Sequence, residues 1–443
     1  MLDHLAKTDW SYITNNQDND TQAAFDQFYC HVNQLLNGVY PLSSITVTSR
    51  DPPYVTAAIK SMLRQKNKLM RKGQCERAHS ITNRIKAAII RYNSGRLENI
   101  TCENGSKIMW QKVRQITGKD KRQSIIDLCP NQLNAHYAAI STDQNYTTPL
   151  PKHTCHPPDT GPTDWDVFQA LDHLKSTATG LDGIPAWFLK LASHRLAEPI
   201  AYLFRKSLAE SKIPFQWKMA CITPVPKHQQ ASQPSDYRPI SITPVISRVL
   251  ERLVIHQYIY PLLNDYPSMA LTLSDQYAFR PSGSTTAALI NILQDLSDLS
   301  QSEPYVLIIA LDFSKAFDTV RHSSLIGKIA NLPVADSVYN WLIHYLSDRS
   351  HCTKIKGNVS DPLPINCSII QGSPFGPVNY ILNATDLKPV YDGNKMHKYA
   401  DDTYVIIPAD RINTISQELA AIAKWATTNN LKLNISKSRY MVV

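Results

Sequence analysis

What the 443-residue chain lacks narrows its class first. No run approaches the roughly 18 uncharged apolar residues of a membrane-spanning helix. The first 30 residues have neither a basic start nor an apolar block, so no signal peptide is expected. The eight cysteines are scattered without a C-x-x-C pair, which argues against a disulfide frame and for reduced thiols in an intracellular protein. "HTCHP" (153–157) groups two histidines and a cysteine, but no second cluster lies near it in sequence, so a zinc site is not the expectation there. No internal repeat is visible. Residues 124–443 carry no net charge, and 1–50 carry −3, so the whole positive balance belongs to one segment.

That segment is 51–123, with 17 lysines and arginines against 5 aspartates and glutamates. A basic module beside a neutral one suits a polyanion such as nucleic acid, whose affinity comes largely from counterion release. Its apolar residues fall at helical spacing: Val55, Ile59, Met62 and Leu63 in one run, Ala78, Ile81, Ile85, Ala88 and Tyr92 in the next. A solvated helical hairpin with its charge outward explains the same pattern. Before it, "TQAAFDQFYCHVNQLL" reads as a short helix with Phe25, Phe28, Val32 and Leu35 on one face. After it, 124–162 is polar and proline-rich and reads as a linker. A new domain opens at 163, where Thr163 and Asp166 have capping-box spacing ahead of Val167, Phe168, Leu171 and Leu174. Apolar residues make up 43% of the chain and charged residues 19%, an ordinary globular balance. Helices and strands are interspersed with hairpins rather than strictly alternating, which predicts an α+β fold.

Two carboxylate sites stand on strand-like segments. In "KYADDTYVIIP" (398–408), Asp401 and Asp402 occupy a hairpin tip ahead of an apolar run. Neighbouring carboxylates repel and burial makes each charge costlier, so one should take up a proton unless a cation holds both. Taken alone, the pair equally fits a solvated turn. In "VLIIALDFSKAFDTV" (306–320), period-two apolar residues make a buried strand that Asp312 ends, on the face of Ile308 and Ala310. Asp312 is either a compensated buried charge or the N-cap of the helix that follows. Between the two lies "CSIIQGSPFGPVNYILNATDL" (367–387), where Gln371, Gly372, Ser373 and Pro374 form a turn into a helix and the glycine permits close approach of a flat ligand. Three carboxylates from two strands suit two divalent ions and in-line phosphoryl displacement.

The chain resembles the reverse transcriptase of LINE-type (non-LTR) retrotransposons. "ALDFSKAFDTV", "QGSPFGPVNYILNATDL" and "YADDTYVIIP" match three palm motifs in the family's order, and "WATTNNLKLNISKS" matches the palm segment after them. "WKMACITPVPK", "DYRPISITPVISRVLERL" and "SDQYAFRPSGSTTAAL" match its fingers, and "GLDGIPAWFLK" resembles the entry into the fingers. The likeness runs from about 163 to 443, with the polymerase core at about 206–443. It implies a right-hand fingers–palm fold with an antiparallel palm sheet, preceded by a basic helical arm within a 1–123 extension.

By the same resemblance, Asp312, Asp401 and Asp402 would be the metal triad, with Phe313 lending a backbone carbonyl, for two Mg²⁺ ions that Mn²⁺ could replace. Lys227 and Arg238 would grip the triphosphate, Arg238 through its planar fork. Gln371 and Gly372 would pack on the nucleotide and template base, Arg280 would touch a template phosphate, and Lys437 would protonate the leaving pyrophosphate. Lys227 also fits a surface lysine, Arg280 a solvated loop arginine, and Lys437 an amphipathic strand. Phe317, five residues after Asp312, would lie beneath the incoming sugar, where a bulky ring clashes with a ribose 2′-hydroxyl. It also fits an ordinary core aromatic. With Ala400 rather than glycine before the double aspartate, the pattern favours DNA synthesis. The expected partners are an RNA template, a DNA primer and dNTPs, in a ribonucleoprotein with the element RNA acting in cytoplasm and nucleus, away from membranes. The family continues into a primer-grip hairpin and a helical thumb. The sequence stops at "SKSRYMVV", so a C-terminally truncated domain with its thumb missing is expected, either a polymerase or a nucleic-acid-binding remnant without activity.

Overall fold

The period-two and helical runs read from the sequence become strands and helices in the computed structural model, which describes residues 5, 8–14, 20–41, 51–52, 54–97, 128–153, 161–228, 230–264, 273–280 and 283–443. α1 (Thr21–Val39) turns Phe25, Phe28, Val32 and Leu36 inwards. Residues 37–125 form a unit of their own. In it, α2 (Ala57–Arg71) starts at Thr56, whose hydroxyl accepts the Ile59 N–H at 3.3 Å. Gly73, at φ +71°, makes the turn into α3 (Cys75–Leu97). Ile59, Ile81 and Ile85 close a small apolar seam, while Arg64, Lys68, Arg71, Lys72, Arg77 and Arg84 face solvent. Residues 98–123 of the basic segment and 154–157 of "HTCHP" lie outside the described residues.

The second unit comprises residues 1–36 and 126–443. α4 (Pro130–Ile140) is followed by α5 (Asp164–Asp172), which starts at the capping box that the sequence predicts. Thr163 Oγ1 accepts the Asp166 N–H at 3.2 Å, and the Asp166 carboxylate accepts the Thr163 N–H at 2.9 Å. Next come α6 (Ser193–Ala209), the hairpin of β1 (Met219–Pro226) and β2 (Tyr237–Ile242), α7 (Val245–Val254) and α8 (Thr285–Leu299). β3 (Val306–Leu311), β4 (Phe313–Ser314), α9 (Ala316–Thr319), α10 (His322–Ala330) and α11 (Asp336–Leu346) lead to β5 (Arg349–Ile355), β6 (Asn358–Val359) and β7 (Leu363–Ile365). The last stretch holds α12 (Phe375–Asn383), β8 (Lys395–Tyr399), β9 (Asp402–Pro408), α13 (Ile415–Thr428), β10 (Lys432–Leu433) and β11 (Arg439–Val442).

Two sheets organise this mixture of helix and strand. The mixed sheet runs β2-β1-β5-β6, with β7 also on β5, and only the β1–β5 pairing is parallel. The antiparallel sheet runs β11-β3-β9-β8. Its period-two pattern sorts side chains to opposite faces. Val306, Ile308 and Ile406 pack under Ile292 and Leu296 of α8. Leu307, Ile309, Leu311, Val405 and Ile407 enter the main core with α6, α7, α10, α11 and α12. Among the described residues no helix is long and apolar enough to cross a membrane.

Two boundaries differ from the sequence reading. Residues 1–36, expected within a 1–123 extension, belong to the main unit because Phe25 packs edge-on against Trp217 at 4.8 Å and Tyr29 accepts the Trp217 Nε1–H at 2.8 Å. Residues 130–140, expected in a linker, form α4, whose Leu133 and Tyr137 are buried with Ile222 and Ile355. The fully buried Asn134 fastens it: its amide donates to the carbonyls of His351 at 3.2 Å and Asp361 at 2.8 Å, and its Oδ1 lies 3.0 Å from the Thr353 hydroxyl. A polar composition concealed a helix whose buried asparagine finds its partners inside the fold.

The main core also contains charge. Glu251 of α7 is fully buried; its carboxylate accepts from Ser247 at 2.9 Å and from Ser373, and Ser373 in turn meets the Tyr345 hydroxyl at 2.9 Å. Burial pushes the Glu251 carboxyl above its ordinary range. Removing this acceptor strands two buried hydroxyls. Glu251→Ala is therefore expected to destabilise the fold by about 2–4 kcal/mol in urea titration, with Glu251→Gln losing clearly less.

Candidate active site

Strand register dictates where the carboxylates meet. Leu311 pairs with Thr403 and Tyr399 with Asp402, so Asp312 follows β3 beside the tip of the β8–β9 hairpin. Ala400 and Asp401 form the two-residue turn, with Ala400 at φ +56°, a conformation that a residue with a Cβ adopts at some strain. The buried Gln276 holds it there. Its Oε1 accepts the N–H groups of Ala400 at 3.1 Å and Ala278 at 3.0 Å. The chain around it runs alongside β8, with the Lys398 N–H on the Asp275 carbonyl at 2.6 Å and the Tyr277 N–H on the Lys398 carbonyl at 2.9 Å. Lys398 is itself buried. Its ammonium donates to the carbonyls of Ala384 and Leu387, both at 2.8 Å, and pairs with Asp275 at 3.1 Å, while burial pulls its pKa down to about 8.

The electrostatics follow from burial and crowding. Burial raises the proton affinity of Asp401, and Asp402 and Asp312 raise it further. Asp402 is raised by burial and then by Asp312. Lys437 Nζ stands 3.9 Å from Asp312 Oδ2 and opposes the rise at Asp401. The Asp312 backbone is tethered at both ends: its carbonyl accepts the Asn434 N–H at 2.8 Å, and its N–H donates to Ser438 Oγ at 3.3 Å. The three aspartates thus act on one another electrostatically. Yet among the described residues no three acidic, histidine or cysteine side chains converge as a ready-made metal cage.

A cleft of about 1040 Å³ opens beside them, lined by Asp312, Phe313, Asp401 and Lys437 together with Phe317, Gln371, Gly372, Lys227 and Arg238. Asp402, the most exposed of the three though still partly shielded from solvent, does not line it. Gly372 is required where it stands: at φ +112° its missing Cβ would lie 2.4 Å from the Ser241 carbonyl oxygen. The Phe317 ring stacks on Tyr380, 4.8 Å between centroids and 18° between planes, and Phe279 meets it edge-on. Phe313 has its ring against Trp425. Lys227 donates to the Ser235 carbonyl at 2.7 Å at the cleft edge. Arg238 is exposed on β2 opposite Val225. Arg280 lies outside this cleft, in a smaller one with Phe279, His256 and Tyr260, where its guanidinium donates to the Leu273 carbonyl at 2.5 Å.

Sequence reasoning missed Arg248, Arg252, Lys315 and Asp318, all of which line the cleft. The four-residue spacing in "SRVLERL" would have put both arginines on one helix face. It missed Gln276 as well, for which only partners distant in sequence supply a reason.

Residues 225–442 match the family model described as reverse transcriptase (RNA-dependent DNA polymerase). Among curated proteins, the chain is similar to a probable RNA-directed DNA polymerase from transposon BS of Drosophila melanogaster, 28% identical over 287 residues, which cover 62% of this chain and 31% of that protein. It is similar to that of transposon X-element from the same fly, 27% identical over 270 residues, 59% of this chain and 29% of the relative. The RNA-directed DNA polymerase from the mobile element jockey of that species is 26% identical over 274 residues, 59% and 29% respectively. The matched stretch spans less than a third of the length of these relatives. The chain carries a reverse transcriptase domain of the non-LTR retrotransposon type.

The raised proton affinity of Asp401 has a signed consequence. A carboxyl whose folded pKa exceeds its unfolded value penalises the fold at neutral pH, and the penalty fades as pH falls through the folded pKa. With divalent ions chelated, Asp401→Asn is expected to melt at or above the parent at pH 7.5, the gap closing towards pH 4. Calorimetry across that range checks it.

Proposed function

We propose that this domain works as an RNA-directed DNA polymerase that joins dNTPs to a primer 3′-hydroxyl on an RNA template. The observation that carries the reading is one cleft that brings Asp312 and Asp401 together with a stacked aromatic, Phe317, and six cations, Lys227, Arg238, Arg248, Arg252, Lys315 and Lys437. The charges suit an incoming nucleoside triphosphate and the two acids suit the reacting end. Phe317, pinned by Tyr380, cannot yield to a 2′-hydroxyl and offers it no hydrogen bond, which selects deoxynucleotides. Gln371 and Gly372 form the floor under nucleotide and template base, Arg280 touches a template phosphate, and Lys437 delivers a proton to the leaving pyrophosphate.

Asp312, Asp401 and Asp402, with the Phe313 carbonyl, would hold two Mg²⁺ ions, with Mn²⁺ as a substitute. The fit rests on their donor set and mutual repulsion, which a cation relieves. Magnesium is ordinarily held by one or two carboxylates plus substrate phosphates, so a closed protein cage is not needed. When bound, such ions polarise the attacking hydroxyl and neutralise the leaving phosphates.

In this reading the antiparallel sheet is the palm, the mixed sheet belongs to the fingers, and the basic hairpin of α2 and α3 is an RNA-binding arm. The element RNA would then be carried as a ribonucleoprotein in the cytoplasm and nucleus.

Primer extension on a homopolymer RNA template tests the proposal. Extension is expected to require Mg²⁺ and to fall at least about 100-fold in Asp312→Asn or Asp402→Asn with circular dichroism unchanged. RNA binding without any extension would leave a nucleic-acid-binding role instead. Phe317→Ala is expected to narrow the preference for dNTP over rNTP by on the order of 10- to 100-fold, read from single-nucleotide incorporation. For the arm, replacing Arg64, Lys68, Arg71 and Lys72 by glutamine should flatten log affinity against log salt by about 0.7 for each phosphate that is no longer neutralised. An unchanged slope would return α2 and α3 to a structural hairpin.

A further inference from the structure

Asp318 is an acid that the polymerase reading leaves without a task. It lies on α9, one residue after Phe317, and faces the cleft from a largely buried position. Its Oδ1 accepts the Gln371 side-chain N–H at 2.6 Å. The other end of Gln371 is also fixed, because its carbonyl accepts the Ser241 N–H at 2.7 Å and Gly372 follows in a left-handed conformation against Ser241. An ionised carboxylate has no hydrogen to donate, so only the amide nitrogen can face it. The amide oxygen is then the atom left for the cleft.

We infer that Asp318 is a positioning residue that holds the Gln371 amide with Oε1 turned to the cleft, so that this point of the site accepts a hydrogen bond from the bound nucleotide. The inference rests on the reading that the cleft takes a nucleotide. It assigns the sense of the hydrogen bond, which fold and family leave open. A protonated Asp318 would instead offer its own O–H to Oε1 and release the amide to turn over.

The surroundings decide when that happens. Lys315, at the head of α9, and Lys227, at the end of β1, attract a charge on Asp318; Tyr137 of α4 and Cys367 face it as neutral acids, their own ionisation pushed up by burial. Arg349 lines the enclosed space behind it. Burial outweighs the cations and the Gln371 bond and pushes Asp318 up to about 6. A carboxyl raised in the fold weakens the fold near neutrality and ceases to do so as pH falls below that value. Asparagine would fill the same space without that penalty, so an acid at this position is explained by its charge rather than by its shape.

The test is equilibrium binding of a fluorescent dNTP to the full chain with Mg²⁺, from pH 5.2 to 8. The parent is expected to lose affinity several-fold as pH falls through about 6, following Asp318. Asp318→Asn should bind about 5- to 10-fold more weakly at pH 7.5, the scale of one hydrogen bond to a mispresented group, with that acid limb gone. In a Gln371→Met background the Asp318→Asn change should leave the Kd unmoved. Melting supplies a readout independent of ligand: Asp318→Asn should melt at or above the parent at pH 7.5, the gap closing by pH 5. A parent that binds dNTP and an Asp318→Asn variant with the same Kd and the same pH profile would overturn the positioning role. A parent that binds no dNTP at any pH would overturn the nucleotide reading of the cleft, and this inference with it. An Asp318→Asn variant that weakens binding equally in the Gln371→Met background would show that Asp318 acts by another route.

Discussion

Carboxylates that repel one another must be held at the end of a sheet buried on both faces. The apolar stripes of β3 and β9 fix their register, and that register alone carries Asp312 to the tip of the β8–β9 hairpin. Nothing local favours the arrangement: Ala400 takes a left-handed turn, and burial and like charge raise both Asp401 and Asp402. The surroundings are built to resist. Gln276 brackets the turn, Lys398 bonds two carbonyls beneath it, and the stretch between β10 and β11 holds the Asp312 backbone through Asn434 and Ser438.

The same logic extends along the cleft. α7 presents Glu251 to the interior, where it supports Ser373, and Arg248 and Arg252 to the cleft. One helix therefore supports the turn that carries Gln371 and Gly372 and also supplies positive charge facing that turn. Glu251 and Asp318 are both acids raised by burial, and both reach the Gln371–Ser373 turn through a side-chain hydrogen bond. Buried acids are costly for stability. Two of them on one three-residue turn mark it as the place where geometry outweighs that cost.

Elements with strong periodicity and local chemistry were readable in advance. β3 alternates over six residues, and the Thr163/Asp166 capping box needs only neighbours in sequence. α1 was legible as an amphipathic helix, but its partner was not: nothing within residues 21–39 names Trp217, so the helix could be assigned to an N-terminal extension when it packs in the core. α4 was hidden for a different reason. The residue that fastens it, Asn134, is of a type that reads as a loop former until His351, Thr353 and Asp361 surround it.

By itself the sequence determined the order of the carboxylate, glycine-turn and double-aspartate segments, the confinement of the net positive charge to 51–123, and the family resemblance that the motifs carry. These are properties of residue type and separation, and no folding is needed to read them. Tertiary structure alone decided what holds the site in shape. Gln276 meets Ala400 across 124 residues and Asp318 meets Gln371 across 53. Bonds over such distances depend on the packing of every element between them. A buried polar side chain acquires its meaning only from the partner that packing brings within about 3 Å.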